Sequence, residues 1–249
     1  MRNLPVIAVV LCLAMPAAAQ KAPAAKTPAG KAHAAAVSTA APAAVQPAAV
    51  SEAAQLAKKA LKKLADWDAR LETLKAGFTQ EINFREAGLK QSVEGSLNYV
   101  KPNFLRIEHS KPARQIVVTD KTDIWIYKPA DNQAVRTTWD AWRRTQDQNF
   151  SGILDFGNYS SLASKNNATA TEGGKDGFIA LVLTPRTGSA YTLTLRLSAT
   201  DYFPAEASLE VDSTLITTRL HNAEKNGVIA KELFNFSPPK GTEVLELKN

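Results

Sequence analysis

The chain has 249 residues, of which 45% are hydrophobic, and Cys12 is its one cysteine. Its formal charge is +6, but four basic residues and no acidic ones precede position 51, so the excess on the remaining chain is only about two. So small an excess argues against a nucleic-acid partner, which needs a basic face on the folded domain. The cysteine count excludes a disulfide-stapled scaffold, so stability must come from a hydrophobic core.

The first twenty residues have the pattern of a secretory signal peptide. Arg2 gives a positive start, residues 4–15 form an apolar run, and residues 16–20 supply the small side chains that a signal peptidase needs. The run is shorter than the roughly 20 residues of a transmembrane helix. We therefore expect residues 1–20 to be removed near positions 19–21, leaving a periplasmic protein without cysteine.

Residues 21–50 are almost wholly Ala, Pro and Lys. This composition has too little apolar bulk to offset the entropy of ordering the chain. We expect a disordered linker over residues 21–50 and one folded domain over residues 51–249.

An amphipathic helix is expected at the start of the domain. Apolar residues recur there at steps of three and four, at Leu56, Ala60, Leu64, Trp67, Leu71 and Leu74. From Phe78 onward the apolar period is two, which predicts a strand. Core packing is the simplest role of the helix stripe. A membrane-surface helix is the alternative, and the attachment to a sheet argues against it.

Short alternating segments continue to the end of the chain. After the strand at Phe78 they are expected at about 92–100, 103–109, 113–119, 123–128, 132–137, 168–172, 177–184, 190–198, 205–211, 215–223 and 233–236. About twelve strands spaced in this way predict a meandering sheet or barrel.

A break at 139–164 interrupts the strands and carries bulky apolar residues among Gly, Ser and Asn. Apolar groups in a segment without strand periodicity suit a mobile lid over one end of the sheet. The predicted lid residues are Trp139, Trp142, Ile153, Leu154 and Phe156.

The sequence carries no recognisable catalytic cluster. His109 and His221 lack metal-ligand spacing, and no Ser or Cys stands in a nucleophile elbow. We therefore expect no enzymatic activity, no catalytic residues, no metal site and no cofactor.

Six motifs in fixed order carry a family resemblance. They are FTQ at 78–80, GSLNYVKP at 95–102, PNFLRIE at 102–108, QIVVTD at 115–120, IWIY at 124–127 and FNFSPPKGTEV at 234–244. No single motif is specific, but their order and spacing across residues 55–247 resemble the outer-membrane lipoprotein carrier proteins, the LolA family.

The resemblance implies a mainly β (α+β) fold. We expect an unclosed antiparallel β-barrel of about 11–12 strands, with an N-terminal helix and short lid helices around an apolar cavity. The implied function is that of a periplasmic chaperone that carries lipoprotein acyl chains from the inner to the outer membrane. A lipid-binding or envelope-sensing module with another amphiphilic cargo is the alternative. Expected partners are acylated lipoproteins, an inner-membrane lipoprotein-releasing transporter and any outer-membrane receptor. The protein itself is expected to be a monomer.

Alternation along the strands, combined with the curvature of the family, places ten side chains on the cavity wall. They are Leu105, Ile107, Ile116, Val118, Ile124, Ile126, Leu181, Leu183, Leu193 and Leu195. A slip of one residue would reverse every face. On this assignment Leu105→Glu should block cargo handling and leave the fold largely intact. If Leu105 is ordinary core, the same change should unfold the domain.

Lys101 and Arg106 are expected to control the lid and the rim. Lys101 stands where the family has an arginine that helps to hold the lid closed, and lysine lacks the forked hydrogen-bonding pattern of arginine. Arg106 is either a rim charge that contacts a lid carbonyl or a cargo headgroup, or an outer-face residue near Glu108.

Overall fold

The computed structural model describes residues 47–119, 122–139, 141, 156, 159–173, 176–188 and 190–247. The predicted signal peptide and most of the predicted linker lie outside these residues, as do Trp142, Ile153 and Leu154 of the predicted lid. Within the described ranges, no helix combines the length and the apolar composition needed to cross a membrane.

One sheet of twelve strands forms the body of the protein. The strands are β1 Thr73–Phe84, β2 Leu89–Val100, β3 Phe104–Lys111, β4 Gln115–Thr119, β5 Asp123–Lys128, β6 Gln133–Thr138, β7 Asn166–Glu172, β8 Phe178–Pro185, β9 Thr192–Ser198, β10 Pro204–Val211, β11 Thr214–Lys225 and β12 Glu243–Glu246. Their order across the sheet is β12-β6-β5-β4-β3-β2-β1-β11-β10-β9-β8-β7. All neighbours are antiparallel except β12 and β6, which are parallel. The sheet ends at β12 and β7, so the predicted unclosed fold is confirmed.

In the part of the chain that the structure describes, the helical elements after the first are short. The elements are α1 Pro47–Arg70, α2 Leu162–Lys165, and 3-10 turns at Pro129–Asp131, Tyr159–Ser161 and Lys231–Phe234. The helix α1 includes the last four residues of the predicted linker. It ends before Leu71 and Leu74, whose assignment to the helix stripe was wrong. Leu74 pairs with Tyr99 in the sheet, and its helical spacing is a coincidence of two adjoining buried elements.

Eleven of the twelve predicted strands correspond to β1–β11, but the strand predicted at 233–236 was wrong. That segment continues from the 3-10 turn Lys231–Phe234 and lies against a face of the sheet, where Phe234 is buried. The twelfth strand is instead β12, nine residues after Phe234. The alternating apolar side chains Phe234 and Phe236 pack onto the face of the sheet. The alternation therefore does not require this segment to pair as a strand at a sheet edge.

The main core lies on the inner face of the sheet, which we define as the face that packs against α1. Directly paired residues share a face, and one inner ladder runs through Ala76, Leu97, Ile107, Val117 and Ile126. A second ladder runs through Ile82, Ile216, Leu209, Leu193 and Leu183. Both ladders join one buried cluster with the helix residues Ala57, Ala60, Leu64 and Trp67.

The opposite face, the outer face, carries a smaller cluster beneath residues 229–236, which we call the outer cap. The ring of Phe234 packs in a tilted arrangement against that of Phe104, with 5.3 Å between ring centroids, and the ring of Phe236 packs likewise against Trp125 at 5.7 Å. Ile116 and Val118 are buried beneath these rings. The strands β3, β4 and β5 are therefore covered on both faces, on the inner face by the main core and on the outer face by the outer cap.

Candidate functional site

Eight of the ten predicted cavity residues lie together in the main core of the inner face. They are Leu105, Ile107, Ile124, Ile126, Leu181, Leu183, Leu193 and Leu195. All eight are buried. They come from β3 and β5 on one side and from β8 and β9 on the other, so the fold joins two distant parts of the sequence in one apolar surface. Cargo binding by these residues remains a prediction.

The placement of Ile116 and Val118 on the cavity wall was wrong. Both residues lie in the outer cluster, and Val117 between them faces inward, paired with Ile107 and Ile126. All five residues of β4 are buried. The strand therefore lacks the alternation of buried and exposed residues that would mark its outer side. The predicted register of β4 was therefore off by one residue, and Val117 is the residue that the prediction missed.

A lid segment, defined here as Phe156 with residues 159–165, closes the inner face beside α1. The ring of Phe156 packs against that of Tyr99 with 5.5 Å between ring centroids, and the ring of Tyr159 packs against that of Trp67 with 6.3 Å between centroids. Leu162 at the start of α2 is buried in the same cluster. The segment thus fills apolar surface that the sheet and α1 leave between them.

The two described residues of the predicted lid both reach this core. Phe156 is buried, and the hydroxyl of Tyr99 donates to its carbonyl oxygen at 3.3 Å. Trp139 is half-buried against the main core, and its backbone N–H donates to the carbonyl of Thr122 at 2.9 Å. Mobility of this region remains a prediction.

Asp68 ties the lid segment to α1. Its carboxylate accepts the backbone N–H of Tyr159 at 3.1 Å, and the residue is only 3% exposed. A hydrogen bond to a charged group is stronger than one between neutral groups, and losing it inside the protein leaves a donor without that acceptor. The Asp68 contact and the ring contact of Trp67 therefore form a two-residue latch on one turn of the helix.

Lys101 binds the end of α1. Its ammonium donates to the carbonyl oxygen of Ala69 at 2.8 Å and lies 3.8 Å from the carboxylate of Glu72. A carbonyl in the last turn of a helix lacks an intrahelical partner, so a cation there is favourable. These contacts fix the helix that carries the latch, and control of the lid by Lys101 remains a prediction.

Arg106 lies on the outer face, as the second of its two predicted placements has it. Its guanidinium forms a salt bridge with Glu108 at 2.6 Å and donates to the carbonyl of Leu233 at 3.0 Å. Leu233 belongs to the outer cap, so these contacts place Arg106 away from the lid segment and the inner face. The expectation that Arg106 contacts the lid was wrong, because position 106 is directly paired with Val118 on the outer side of β4.

His109 is a buried polar residue of β3 on the inner face of the sheet. It is 6% exposed, its Nε2 is buried without a hydrogen-bond partner among the described residues, and its ring meets that of Phe78 edge-on at 5.7 Å. Burial lowers the pKa of His109, since the protonated form is poorly solvated there. The imidazole is therefore neutral in the folded protein at neutral pH.

His109→Leu is expected to remove a pH dependence of stability. Below the ordinary histidine pKa of about 6.5, the unfolded chain takes up a proton before the folded one. The free energy of unfolding of the wild type therefore falls as pH drops below that value, and the loss stops growing below the lowered pKa of the folded state. Urea unfolding at pH 7.5 and 5.5 measures this difference.

The matched control for that experiment is His221→Gln, because His221 is exposed. The control should keep the wild-type pH dependence, whereas His109→Leu should flatten it without lowering stability at pH 7.5. A wild-type slope that survives in His109→Leu would show that another group causes it.

Three comparisons with known proteins bear on this arrangement. The family model described as "Outer membrane lipoprotein carrier protein LolA" matches residues 69–237. The outer-membrane lipoprotein carrier protein of Dechloromonas aromatica is 30% identical over 191 residues, which are 75% of this chain and 87% of the relative. That of Klebsiella pneumoniae (strain 342) is 26% identical over 177 residues, 70% of this chain and 82% of the relative. A solved structure of an uncharacterized conserved protein from Thermus thermophilus has a TM-score of 0.49 at 14% identity, covering 78% of this chain and 100% of that one.

Proposed function

Because the chain belongs to the LolA family of outer membrane lipoprotein carrier proteins, we propose that it is a periplasmic carrier that shields lipoprotein acyl chains on the inner face of its sheet. Each buried methylene of an acyl chain is worth about 0.8 kcal/mol. Crossing an aqueous compartment therefore requires an apolar surface that closes around the chains.

One observation carries this proposal: separate helical segments complete the apolar inner face. The surface made by Leu105, Ile126, Leu181 and Leu195 continues into α1 and the lid segment as one buried cluster. The lid segment is held there by the rings of its own aromatic residues, by the carboxylate hydrogen bond from α1 and by the hydrogen bond from Tyr99 to the carbonyl of Phe156. A covering piece whose buried side chains on the inner face are apolar or aromatic can be displaced by a ligand of the same apolar character.

Loading is then an exchange of apolar contacts. In the closed state Phe156, Tyr159 and Leu162 are buried on the inner face. Acyl chains that enter would cover the same sheet surface, so the cost of exposing the lid side chains is offset by burial of methylenes. The protein would then open while the sheet stays intact.

The partners follow from this role. The carrier would receive acylated lipoproteins from an inner-membrane lipoprotein-releasing transporter and deliver them to the outer membrane, to a receptor where one exists. It would act as a monomer, because each chain holds its own inner face.

The test is to identify what the protein holds after purification from the periplasm. Organic extraction followed by lipid mass spectrometry should find acylated, lipoprotein-derived peptides at a substantial fraction of the protein. Recovery of another amphiphile alone would favour a lipid-binding module with a different cargo. Recovery of no lipid, together with failure to release lipoproteins from spheroplasts, would contradict the carrier role.

A further inference from the structure

The solvent face of α1 carries a band of lysines opposite to its buried stripe. Lys58, Lys59, Lys62 and Lys63 are all exposed, whereas Leu64 and Trp67 on the other side are buried. At about 100° per residue, these four lysines lie within an arc of about 140°. The helix is therefore basic along one side over two consecutive turns.

Most of this charge is uncompensated. Among the described residues, Lys62 pairs with Asp66 at 2.8 Å, while Lys58, Lys59 and Lys63 form no ion pair. Basic residues on the sheet are arranged differently: Arg219, for example, contacts both Glu206 and Glu81. Among the described residues, most basic side chains of the sheet thus have an acidic partner, whereas three of the four lysines on this side of the helix have none.

The positive charges of this face act on the carboxylate beside them, that of Asp66. The pKa of Asp66 is lowered, first by its hydrogen bond with Lys62 and further by the charges of Lys62, Lys63 and Arg70. A face with three unpaired ammonium groups suits a partner that presents many negative charges in a plane. A bilayer containing anionic phospholipid is such a partner, and it attracts clustered lysines at roughly 1 kcal/mol each.

We propose that the lysine face of α1, formed by Lys58, Lys59, Lys62 and Lys63, docks the protein on the surface of an anionic phospholipid bilayer. The apolar stripe of the helix stays in the core, so the attachment is electrostatic and reversible. The same helix carries Trp67 and Asp68, which hold the lid segment. Docking therefore places the latch on the core side of the docked helix, about 10 Å from the lipid surface. This property extends the proposed carrier function and does not depend on it.

Vesicle co-sedimentation of the chain lacking residues 1–20 tests the proposal. Vesicles of phosphatidylglycerol and phosphatidylethanolamine should bind the protein, and vesicles of phosphatidylcholine should not. Binding should weaken as NaCl rises from about 50 to about 300 mM, because salt screens exposed charges. At about fivefold per lysine, the triple variant K58Q/K59Q/K63Q should lose about 100-fold in affinity.

The matched control is K90Q/K231Q/K240Q, which makes the same change in net charge at three exposed lysines away from α1. It should keep most of the binding, as should K21Q/K26Q/K31Q upstream of the domain. Equal binding to both vesicle types, or a loss as large in either control, would overturn the proposal. So would binding of an acidic protein surface without binding of anionic vesicles. Circular dichroism checks that each variant is folded, and normal cargo uptake by K58Q/K59Q/K63Q in the absence of vesicles would show that docking and carrying are separate.

Discussion

Leu105→Glu is expected to lower the free energy of unfolding by about 4 kcal/mol or more, through lost packing and a buried carboxylate. Leu105 is 5% exposed in the main core, between its paired neighbours Tyr99 and Thr119. This burial predicts a loss of stability in place of the largely intact fold expected from the sequence, while cargo binding by Leu105 stays a prediction. Urea unfolding followed by circular dichroism measures the change.

The controls separate the two causes of the loss. Leu105→Met keeps the volume and should cost less than about 1.5 kcal/mol. The introduced carboxylate should have a raised pKa in the folded state, so the penalty of Leu105→Glu should shrink as pH falls through that value and towards about 4. A Leu105→Glu variant with wild-type stability at pH 7.5 would mean that water reaches position 105 in the folded protein.

Asp68→Ala is expected to release the lid segment and to cost about 3 kcal/mol in global stability. The variant leaves the buried N–H of Tyr159 without its carboxylate acceptor. Hydrogen exchange should therefore speed up at residues 159–165, while β1 and β2 keep their protection. Asp68→Asn retains an acceptor oxygen and should recover part of the loss.

Asp66→Ala provides the matched control two residues earlier on the same helix. Asp66 pairs with Lys62 at the surface, and exposed ion pairs contribute little. Its removal should leave both the unfolding midpoint and the exchange of the lid segment unchanged. Equal exchange in Asp66→Ala and Asp68→Ala would mean that the helix as a whole, and not the carboxylate latch, holds the segment.

The strands with clear alternation could be predicted face by face from the sequence. In β3 and β5, Leu105 and Ile107, and likewise Ile124 and Ile126, are separated by residues that face outward, and the structure has them on the inner face. The strand β4 gave no such contrast, because the outer cap buries its second side. Its register depends on which residues pair with β3 and on a segment more than a hundred positions away.

The latch left a weak signal that could have been used. Asp68 lies four residues after Leu64, so it stands on the apolar stripe of the helix and not on its solvent face. A carboxylate in that position needs a buried donor. The identity of the donor, the N–H of Tyr159, depends on how the chain returns across 91 residues, which no local pattern specifies. The outer cap was missed for a related reason, since alternating Phe234 and Phe236 match a strand as well as a segment lying on one.

Site-specific photo-crosslinking at two neighbouring positions tests most directly whether the inner face holds acyl chains. Ile126 is in the main core on the inner face, whereas Trp125 is on the outer face against Phe236. Benzoylphenylalanine would replace each residue in turn, and both variants would be irradiated with a triacylated lipopeptide after circular dichroism confirms folding. The carrier account predicts a lipopeptide adduct from position 126 and none from position 125. No adduct at position 126, or equal adducts at both positions, would contradict it.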